Sequence, residues 1–207
     1  MMIEKTTLAL EKYVPQPAAP IIAQWIHQAP CWFKISKGRT SKFGDYRSPF
    51  KDKGHRISVN HNLNPYAFLI TAVHEFAHLK TWNEYRAKVK PHGQEWKKNF
   101  KQLMKPFFEL NIFPYDVQRA VVAYLDNPAA SSCSDLTLFR TLQRYDKPKN
   151  GHLRVEELPL GASFSLPNGR TFKKGEKIRT RFRCTDLNTG RIYLFSPVAE
   201  VLINTAR

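Results

Sequence analysis

The sequence predicts an α+β fold, and three observations lead to that prediction. A long apolar segment without internal proline or glycine follows Asn64-Pro65, as expected for a buried helix. Two short apolar runs, 31–36 and 57–60, precede this segment and are typical of strands. Near the carboxyl end the chain changes to short alternating runs separated by turn signals, which favours a small antiparallel β unit. We therefore expect two domains, 1–147 and 148–207.

The long helix is the best defined element of the first domain. Asn64 is a typical N-cap residue and Pro65 suits the first helical position, so the helix should begin there. The segment from Tyr66 to Leu79 is apolar nearly all round, which predicts burial on every side. We therefore expect a helical core built around this element.

The other elements follow from periodicity and from the position of breakers. Helical character recurs at five further segments: 3–13, 18–28, 93–106, 115–126 and 134–145. Three glycines and a proline interrupt the stretch from Lys37 to Arg56, which we expect to be a basic turn segment. In the second domain, Asn168-Gly169 and Asn188-Thr189-Gly190 mark hairpin turns.

Length and composition exclude several classes of protein. A chain of 207 residues with 42% hydrophobic residues can bury a core, so it is not wholly disordered. No run reaches the roughly 18 apolar residues of a membrane span, and the start lacks the pattern of a signal peptide. Its three cysteines are far apart, which suggests neither a disulfide framework nor a four-thiolate metal site. We expect a cytoplasmic protein without a membrane partner.

The formal net charge of +16 is unevenly distributed along the chain. Segments 31–56 and 80–106 each carry eight Lys or Arg and two acids, a net charge of +6 apiece. Between them, 57–79 contains a single charged residue, Glu75, while 152–207 carries a net charge of +5. A protein this basic attracts polyanions, above all nucleic acid. The nearly neutral stretch contains the most unusual motif of the sequence.

That motif is His74-Glu75-Phe76-Ala77-His78, the pattern HExxH on the long helix. Residues four apart lie on the same face of a helix, so both imidazoles can bind one Zn²⁺. Glu75, next to the first histidine, can then act as a general base on water. Two histidines and a glutamate on a buried helix are costly without partners, which favours a functional interpretation.

A catalytic zinc site requires a third protein ligand, and the sequence offers three candidates. His92 follows the predicted helix and precedes the next one, and we favour it. Glu95 is a carboxylate on that following helix. Glu84 lies six residues after His78, but the glycine needed to turn the chain towards it is replaced by Thr81. Spacing alone leaves the three candidates open.

HExxH followed by His92-Gly93-Gln94-Glu95-Trp96 resembles the SprT-like metalloprotease domain, a family that includes the DNA–protein crosslink protease Spartan. The segment 38–47 is similar to the Arg-Thr…Gly-x-Tyr stretch of that family, and the resemblance covers about residues 15–110. It implies a zincin-like core in which His74, His78 and His92 bind zinc and Glu75 is the catalytic acid/base. Many bacterial members end in a zinc ribbon with paired cysteines. Here the last segment contains only Cys184, so the chain resembles a bacterial member without that ribbon.

The function predicted from these features is a zinc-dependent metallopeptidase acting on proteins associated with DNA. Two alternatives belong to other classes: a nucleic-acid-binding protein with a mainly structural zinc site, and a zinc hydrolase of a non-peptide bond. A closed structural site has no need of a carboxylate beside its first ligand, so Glu75 favours the enzyme.

Two sets of basic residues are candidates for contact with DNA, preferably single-stranded. Arg39, Lys42 and Arg47 lie in the basic turn segment. Arg179, Arg181 and Arg183 alternate with other residues, so they would share one face of a strand. Four aromatic residues lie among the basic ones and could stack on bases, although core packing is the commoner fate: Trp32, Phe43, Tyr46 and Trp96.

Overall fold

A computed structural model of the chain describes residues 1–39, 42–128, 135–147 and 151–203. Within these ranges the chain forms two compact units, Met1–Asp146 and Lys147–Arg207. Helices and strands occur together in the order of an α+β protein, as the sequence predicts. In the described ranges, no helix combines the length and the apolar character needed to cross a membrane.

The described part of the first unit contains six α-helices and a three-stranded sheet. The helices are α1 (Met2–Leu10), α2 (Ala19–Gln28), α3 (Pro65–Tyr85), α4 (Gln94–Glu109), α5 (Tyr115–Asp126) and α6 (Leu136–Gln143). The strands are β1 (Cys31–Ser36), β2 (Gly44–Arg47) and β3 (His55–Asn60). Short 3₁₀ turns at Gln16–Ala18 and Arg86–Lys88 precede α2 and follow α3.

Helix α3 is the centre of the first unit. The side chain of Asn64 accepts a hydrogen bond from the backbone N–H of Ala67 at 2.9 Å, so the predicted cap is present. The helix packs against α4, β2 and β3, and buried residues occur on all of its faces. It ends at Tyr85, beyond which Arg86 has a φ of 56° that no helix can continue.

The sheet has the order β1-β3-β2, with β1 parallel and β2 antiparallel to β3. Burial alternates along β3: His55, Ile57 and Val59 are buried, while Arg56 and Ser58 are half-buried. The prediction of a turn segment from Lys37 to Arg56 is therefore wrong in part. It includes β2 and the start of β3. The composition of β2, with one glycine and two charged residues, does not indicate a strand. The pairing of β2 with β3 stabilises it as one.

The remaining helices differ little from their predicted bounds. Helix α4 continues through Pro106 to Glu109, three residues beyond the predicted end. Helix α6 begins after Asp135, whose carboxylate accepts from the N–H of Leu138 at 2.8 Å. The predicted start of that helix, at residue 134, lies outside the described residues.

The second unit is an antiparallel sheet of the order β4-β9-β5-β6-β7-β8. Its strands are β4 (His152–Arg154), β5 (Ser163–Ser165), β6 (Thr171–Ile178), β7 (Arg181–Asp186), β8 (Ile192–Phe195) and β9 (Glu200–Ile203). Six buried residues form its core: Val155, Leu158, Phe164, Phe172, Cys184 and Val201. The two predicted hairpin turns connect β5 to β6 and β7 to β8, as their sequences indicate.

Asp186 holds the last of these turns in place. Its carboxylate is 2% exposed and accepts hydrogen bonds from the backbone N–H groups of Asn188 and Thr189. The guanidinium of Arg170 donates to the same carboxylate at 2.6 Å and 3.1 Å. These donors stabilise the ionised form and hold the pKa of Asp186 below its ordinary value, with Arg170 as the largest cause.

Candidate metal centre

Helix α3 and the turn before α4 bring three histidines together. His74 and His78 are one helical turn apart on α3, and His92 lies in the turn that precedes α4. The Nε2 atom of His78 is 3.3 Å from that of His74 and 2.9 Å from that of His92. The Nε2 atoms of His74 and His92 are also 3.3 Å apart. All three nitrogens therefore converge on one point.

The backbone of His92 is unusual for a residue with a side chain. Its φ of 57° lies in the left-handed region, which costs free energy for any residue except glycine. Such conformations concentrate at functional sites, where the surrounding structure fixes them. Here the turn directs the imidazole of His92 towards the two histidines of α3.

The histidine cluster fits a zinc ion. Imidazole nitrogens bind zinc at about 2.0–2.1 Å, so two of them in a tetrahedral site lie about 3.3–3.4 Å apart. Two of the three separations equal 3.3 Å and the third is shorter. In the described residues, His74, His78 and His92 are the one group of potential ligands whose atoms lie within 4.8 Å of one another.

Burial keeps these imidazoles in the neutral form that binds a metal. It lowers the pKa of His78 to about 3, with a further contribution from the charge of His92. The pKa of His74 is also well below its ordinary value because of burial, and that of His92 is lowered for the same reason. At neutral pH each of the three imidazoles therefore keeps a nitrogen lone pair that can bind a metal.

Trp96 supports the cluster from α4. Its indole is fully buried, and its ring centre lies 4.7 Å from those of His74 and His92 and 5.2 Å from that of His78. Phe100, one turn further along α4, stacks on Trp96 at 5.1 Å. The aromatic face of α4 thus fixes the orientation of all three imidazoles.

Strand β2 positions Glu75. This carboxyl group is 6% exposed and accepts a hydrogen bond from the backbone N–H of Tyr46. Gly44 lies against the same group: a Cβ at this position would collide with Glu75 Oε1 and lie 2.9 Å from its Cδ. The absence of a side chain at Gly44 therefore makes room for the carboxylate.

Burial raises the pKa of Glu75 to about 8, and the negative charge of Asp45 adds to the increase. The positive charges of Arg39 and Lys42 and the N–H of Tyr46 act in the opposite direction. The site therefore holds a carboxyl group whose affinity for a proton is close to that required of a general acid/base near neutral pH.

Tyr46 also contacts a histidine of the cluster. Its ring is parallel to that of His78 within 7°, with 5.9 Å between the ring centres. The hydroxyl of Tyr46 lies 2.9 Å from Nδ1 of the buried His55, whose ring packs edge-on against Trp82. Burial raises the pKa of Tyr46, so its hydroxyl stays protonated. Gly44 and His55 have no role predicted from the sequence, and Tyr46 is predicted only as a candidate for base stacking. The Gly-x-Tyr spacing is the sequence signal that indicates the roles of Gly44 and Tyr46.

The two carboxylate alternatives for a third ligand lie elsewhere. Glu84 accepts a hydrogen bond from Asn99 at 2.7 Å and lies 3.9 Å from the ammonium of Lys80. Glu95 lies in the first turn of α4 and is not part of the histidine cluster. The helix continues to Tyr85, so Glu84 lies about a turn and a half beyond His78.

A cavity of about 770 Å³ opens at the histidine cluster. Its lining includes the whole of β2, the cluster itself, Glu75 and the chain from Arg86 to His92, apart from Lys88. The site is therefore accessible to a ligand much larger than water. The SprT-like family model matches residues 24–116.

Residues 24–116 are consistent with a SprT-like domain. The matched residues include α3, the sheet and the whole metal centre. Comparisons with curated proteins and with solved structures found no significant match. A SprT-like domain is of the zinc-metallopeptidase type, and its histidine cluster here can hold a metal ion.

The basic candidates within the SprT-like domain have different surroundings. Arg39 donates from Nε to the side chain of Asn60 at 2.8 Å and is half-buried. Lys42 and Arg47 both form ion pairs with Asp45, at 2.6 Å and 2.9 Å. Of the three, Arg47 is the most exposed, with 62% of its side chain accessible.

The arginines of the second unit do not all lie on one strand. Arg181 and Arg183 are exposed on β7 and share a face. The prediction that Arg179 shares this face is wrong, because Arg179 lies in the turn between β6 and β7 with a φ of 52°. No glycine, proline or asparagine marks this turn, so the alternation of arginines concealed it.

Most of the aromatic residues among the basic segments are in contact with other rings. Trp96 and Tyr46 belong to the metal centre, and Phe43 stacks on Phe139 at 5.9 Å. Trp32 on β1 is different: it is 61% exposed, with the ammonium of Lys34 5.6 Å from the centre of its ring. Among the four candidates, Trp32 therefore offers the accessible face for stacking.

Proposed function

We propose that the protein is a zinc-dependent metallopeptidase in which His74, His78 and His92 are the metal ligands and Glu75 is the general base. The observation that carries this proposal is the convergence of three neutral imidazole nitrogens beside the buried carboxyl group of Glu75, which shares helix α3 with two of them. Three protein ligands leave one position for water or substrate, as catalytic zinc sites require.

The residues of the site have separate roles in peptide hydrolysis. A zinc ion held by the three histidines would supply a Lewis acid that lowers the pKa of water to about 7 and polarises a carbonyl group. Glu75 accepts a proton from the attacking water and delivers it to the leaving amine. The N–H of Tyr46 and the space at Gly44 hold the Glu75 carboxyl group in position for both transfers.

Strand β2 supports the choice of a peptide as substrate. It is an edge strand of its sheet and lines the cavity. In an antiparallel pair, one residue directs its backbone N–H and C=O towards the partner strand, and the next residue directs them away from it. The carbonyl of Phe43 accepts from Asn60 in the direction of β3, so the backbone groups of Gly44 and Tyr46 point away from β3. The N–H of Tyr46 binds Glu75, so the carbonyls of Gly44 and Tyr46 are the groups that this edge offers to a peptide. An extended peptide can add to such an edge by main-chain hydrogen bonds.

The test of this proposal compares two glutamates of α3. With one equivalent of zinc, the wild-type protein should cleave an unfolded protein substrate, and Glu75→Gln should bind zinc but not cleave. Glu84→Gln, the matched control on the same helix, should cleave like the wild type because Glu84 contacts Asn99 and Lys80 instead of the cavity. Equal cleavage by Glu75→Gln and the wild type would remove Glu75 from the mechanism.

Removal of zinc and an ester substrate, added to this experiment, separate the two alternatives. A nucleic-acid-binding protein with a structural zinc site would lose its fold when zinc is removed and would show no hydrolysis. A zinc hydrolase of a non-peptide bond would leave proteins intact but hydrolyse an ester in a Glu75-dependent way. The histidine cluster with a neighbouring carboxylate supports hydrolysis rather than a closed four-ligand site.

We also propose that the substrates are proteins bound to nucleic acid, preferably single-stranded DNA. The net charge of +16 supports this proposal, as do the exposed Arg47, Arg181 and Arg183 and the accessible ring of Trp32. Affinity for an oligonucleotide should fall steeply with salt, with a log–log slope of several units, roughly one for each phosphate contact. A slope near zero would contradict the proposal.

A further inference from the structure

The cavity at the metal centre has an excess of positive charge. Its lining contains two acids, Asp45 and Glu75, and four cationic side chains: Arg47, Arg56, Arg86 and Lys90. Asp45 is already paired with Arg47 and with Lys42, which lies beside it. Within the described ranges, the other three cations form no ion pair. A ligand of this cavity therefore meets cations that the protein itself does not neutralise.

Arg86 is held in a fixed place in the cavity wall. It follows the last residue of α3 with a φ of 56°, and its guanidinium lies 4.4 Å from the ring centre of Trp82. The Trp82 ring packs on His55, which contacts the hydroxyl of Tyr46. A cation already ordered by an aromatic face loses little conformational freedom when it binds an anion.

Arg56 has unsatisfied hydrogen-bonding capacity. It lies on β3 directly opposite Arg47 on β2, and like charges in that arrangement destabilise a sheet. Its Nε is buried and has no hydrogen-bond partner among the described residues. A buried donor without a partner costs free energy, and Arg56 has no carboxylate of the protein to offset that cost. Because Arg56 lines the cavity, an anionic ligand there can pair with its guanidinium charge.

We propose that this cavity selects polypeptide segments with acidic side chains, whose carboxylates are received by Arg86 and Arg56. The proposal rests on the peptidase function and names the class of substrate. Planar guanidinium groups bind carboxylates through paired hydrogen bonds, which gives direction as well as charge. The neighbouring edge of β2 provides main-chain hydrogen bonds for an extended peptide.

Phosphates of a nucleic acid carry the same sign of charge, but the cavity suits them less well. Single-stranded nucleic acids also require open aromatic faces for their bases. Of the four tyrosine, phenylalanine and tryptophan rings in the lining, three are covered: Tyr46 by His78, Trp82 by Arg86, and Trp96 by its burial in the core. The observations therefore favour an acidic peptide.

The test measures binding to metal-free protein, so that zinc cannot attract the carboxylates directly. Three fluorescent ten-residue peptides share one sequence except for two central positions, occupied by Glu, Gln or Lys. By anisotropy, the Glu peptide should bind about tenfold more tightly than the Gln peptide, and the Lys peptide should bind most weakly. The preference should shrink as salt is raised from 0.05 to 0.5 M. Equal affinities for the Glu and Gln peptides would overturn the proposal.

Two variants test whether the preference for the Glu peptide arises in the cavity. Arg86 is exposed, so Arg86→Gln does not disturb the core, and it should reduce the preference for Glu about fivefold. Lys101→Gln removes the same charge from an exposed site outside the cavity and should leave the preference unchanged. An equal loss in both variants would show that net charge, not this site, binds the peptide. Tighter binding of a single-stranded oligonucleotide than of the Glu peptide, abolished by Arg86→Gln, would assign the site to nucleic acid and overturn the proposal.

The binding assay does not depend on catalysis, so the two proposals can fail separately. Selective binding of the Glu peptide by a zinc-loaded protein that cleaves nothing would refute the peptidase and retain the acidic site. Cleavage of all three peptides at equal rates, with equal affinities, would retain the peptidase and refute the acidic site.

Discussion

Gly44→Ala tests whether β2 positions the general base. A Cβ at this position would lie 2.7 Å from Cγ2 of Thr71 and 2.9 Å from Cδ of Glu75, and closer still to Oε1 of Glu75. Both neighbours are buried on α3, with exposures of 4% and 6%, so neither can move into solvent without disturbing the helix. The added methyl group must therefore displace the carboxyl group.

The expected effects separate catalysis from metal binding. A displacement of about 1 Å in a catalytic group can lower kcat about 100-fold, and we expect a loss of that order. Overpacking should also lower the free energy of unfolding by about 1–3 kcal/mol. The atoms nearest to the new methyl group belong to Thr71 and Glu75 and not to a histidine, so zinc affinity should change less than threefold.

The assay combines peptide cleavage, zinc affinity by competition with a chelator, and thermal unfolding. Gly54→Ala is the matched control, because a Cβ there meets only the carbonyl of Pro30 at 3.7 Å, an ordinary contact. A Gly44→Ala protein with wild-type kcat would refute the positioning role of β2. Loss of zinc together with activity would show that the change damages the whole site rather than the base.

Three further predictions concern the third ligand, the second unit and the exposed tryptophan. His92→Ala should weaken zinc binding at least about tenfold, and Glu84→Ala should not; the reverse result would exchange their roles. Asp186→Asn should lower the unfolding temperature of the second unit, because it weakens the charge-assisted bond with Arg170. The pKa of Asp186 is lowered in the folded state, so the stabilisation by its ionised carboxylate is present above about pH 4 and is lost as pH falls further. An unfolding temperature that does not change with pH would contradict this prediction. Single-stranded DNA should quench the fluorescence of Trp32, and unchanged quenching in Trp32→Phe would place the contact elsewhere.

Local signals along the chain were sufficient to predict some parts of the molecule. Asn64 and Pro65 mark the start of α3 because capping depends on a few consecutive residues. Asn168-Gly169 marks a hairpin for the same reason. The turn at Arg179 has no such signal, since its backbone conformation is adopted by a residue that does not favour it.

The SprT-like character of the domain also followed from the sequence. HExxH and the following His92-Gly93 carry it, because residues that hold one ion must have fixed chemical types at fixed spacing. Spacing alone, however, did not choose between His92 and the two carboxylates. That choice depends on the path of the chain after Tyr85, where the positive φ of Arg86 and of His92 returns the chain to α3.

The sequence by itself thus determined the α+β class, the helix that carries His74 and His78, and the chemistry available to them. Only the tertiary structure brought Gly44 and Tyr46, some 30 residues earlier, against Glu75 and His78. It also decided that the cavity would be lined by cations without partners, from segments separated along the chain. The physical reason is that capping and helical spacing act between near neighbours. Steric room, burial and the balance of charge in a cavity depend on residues that only folding brings together.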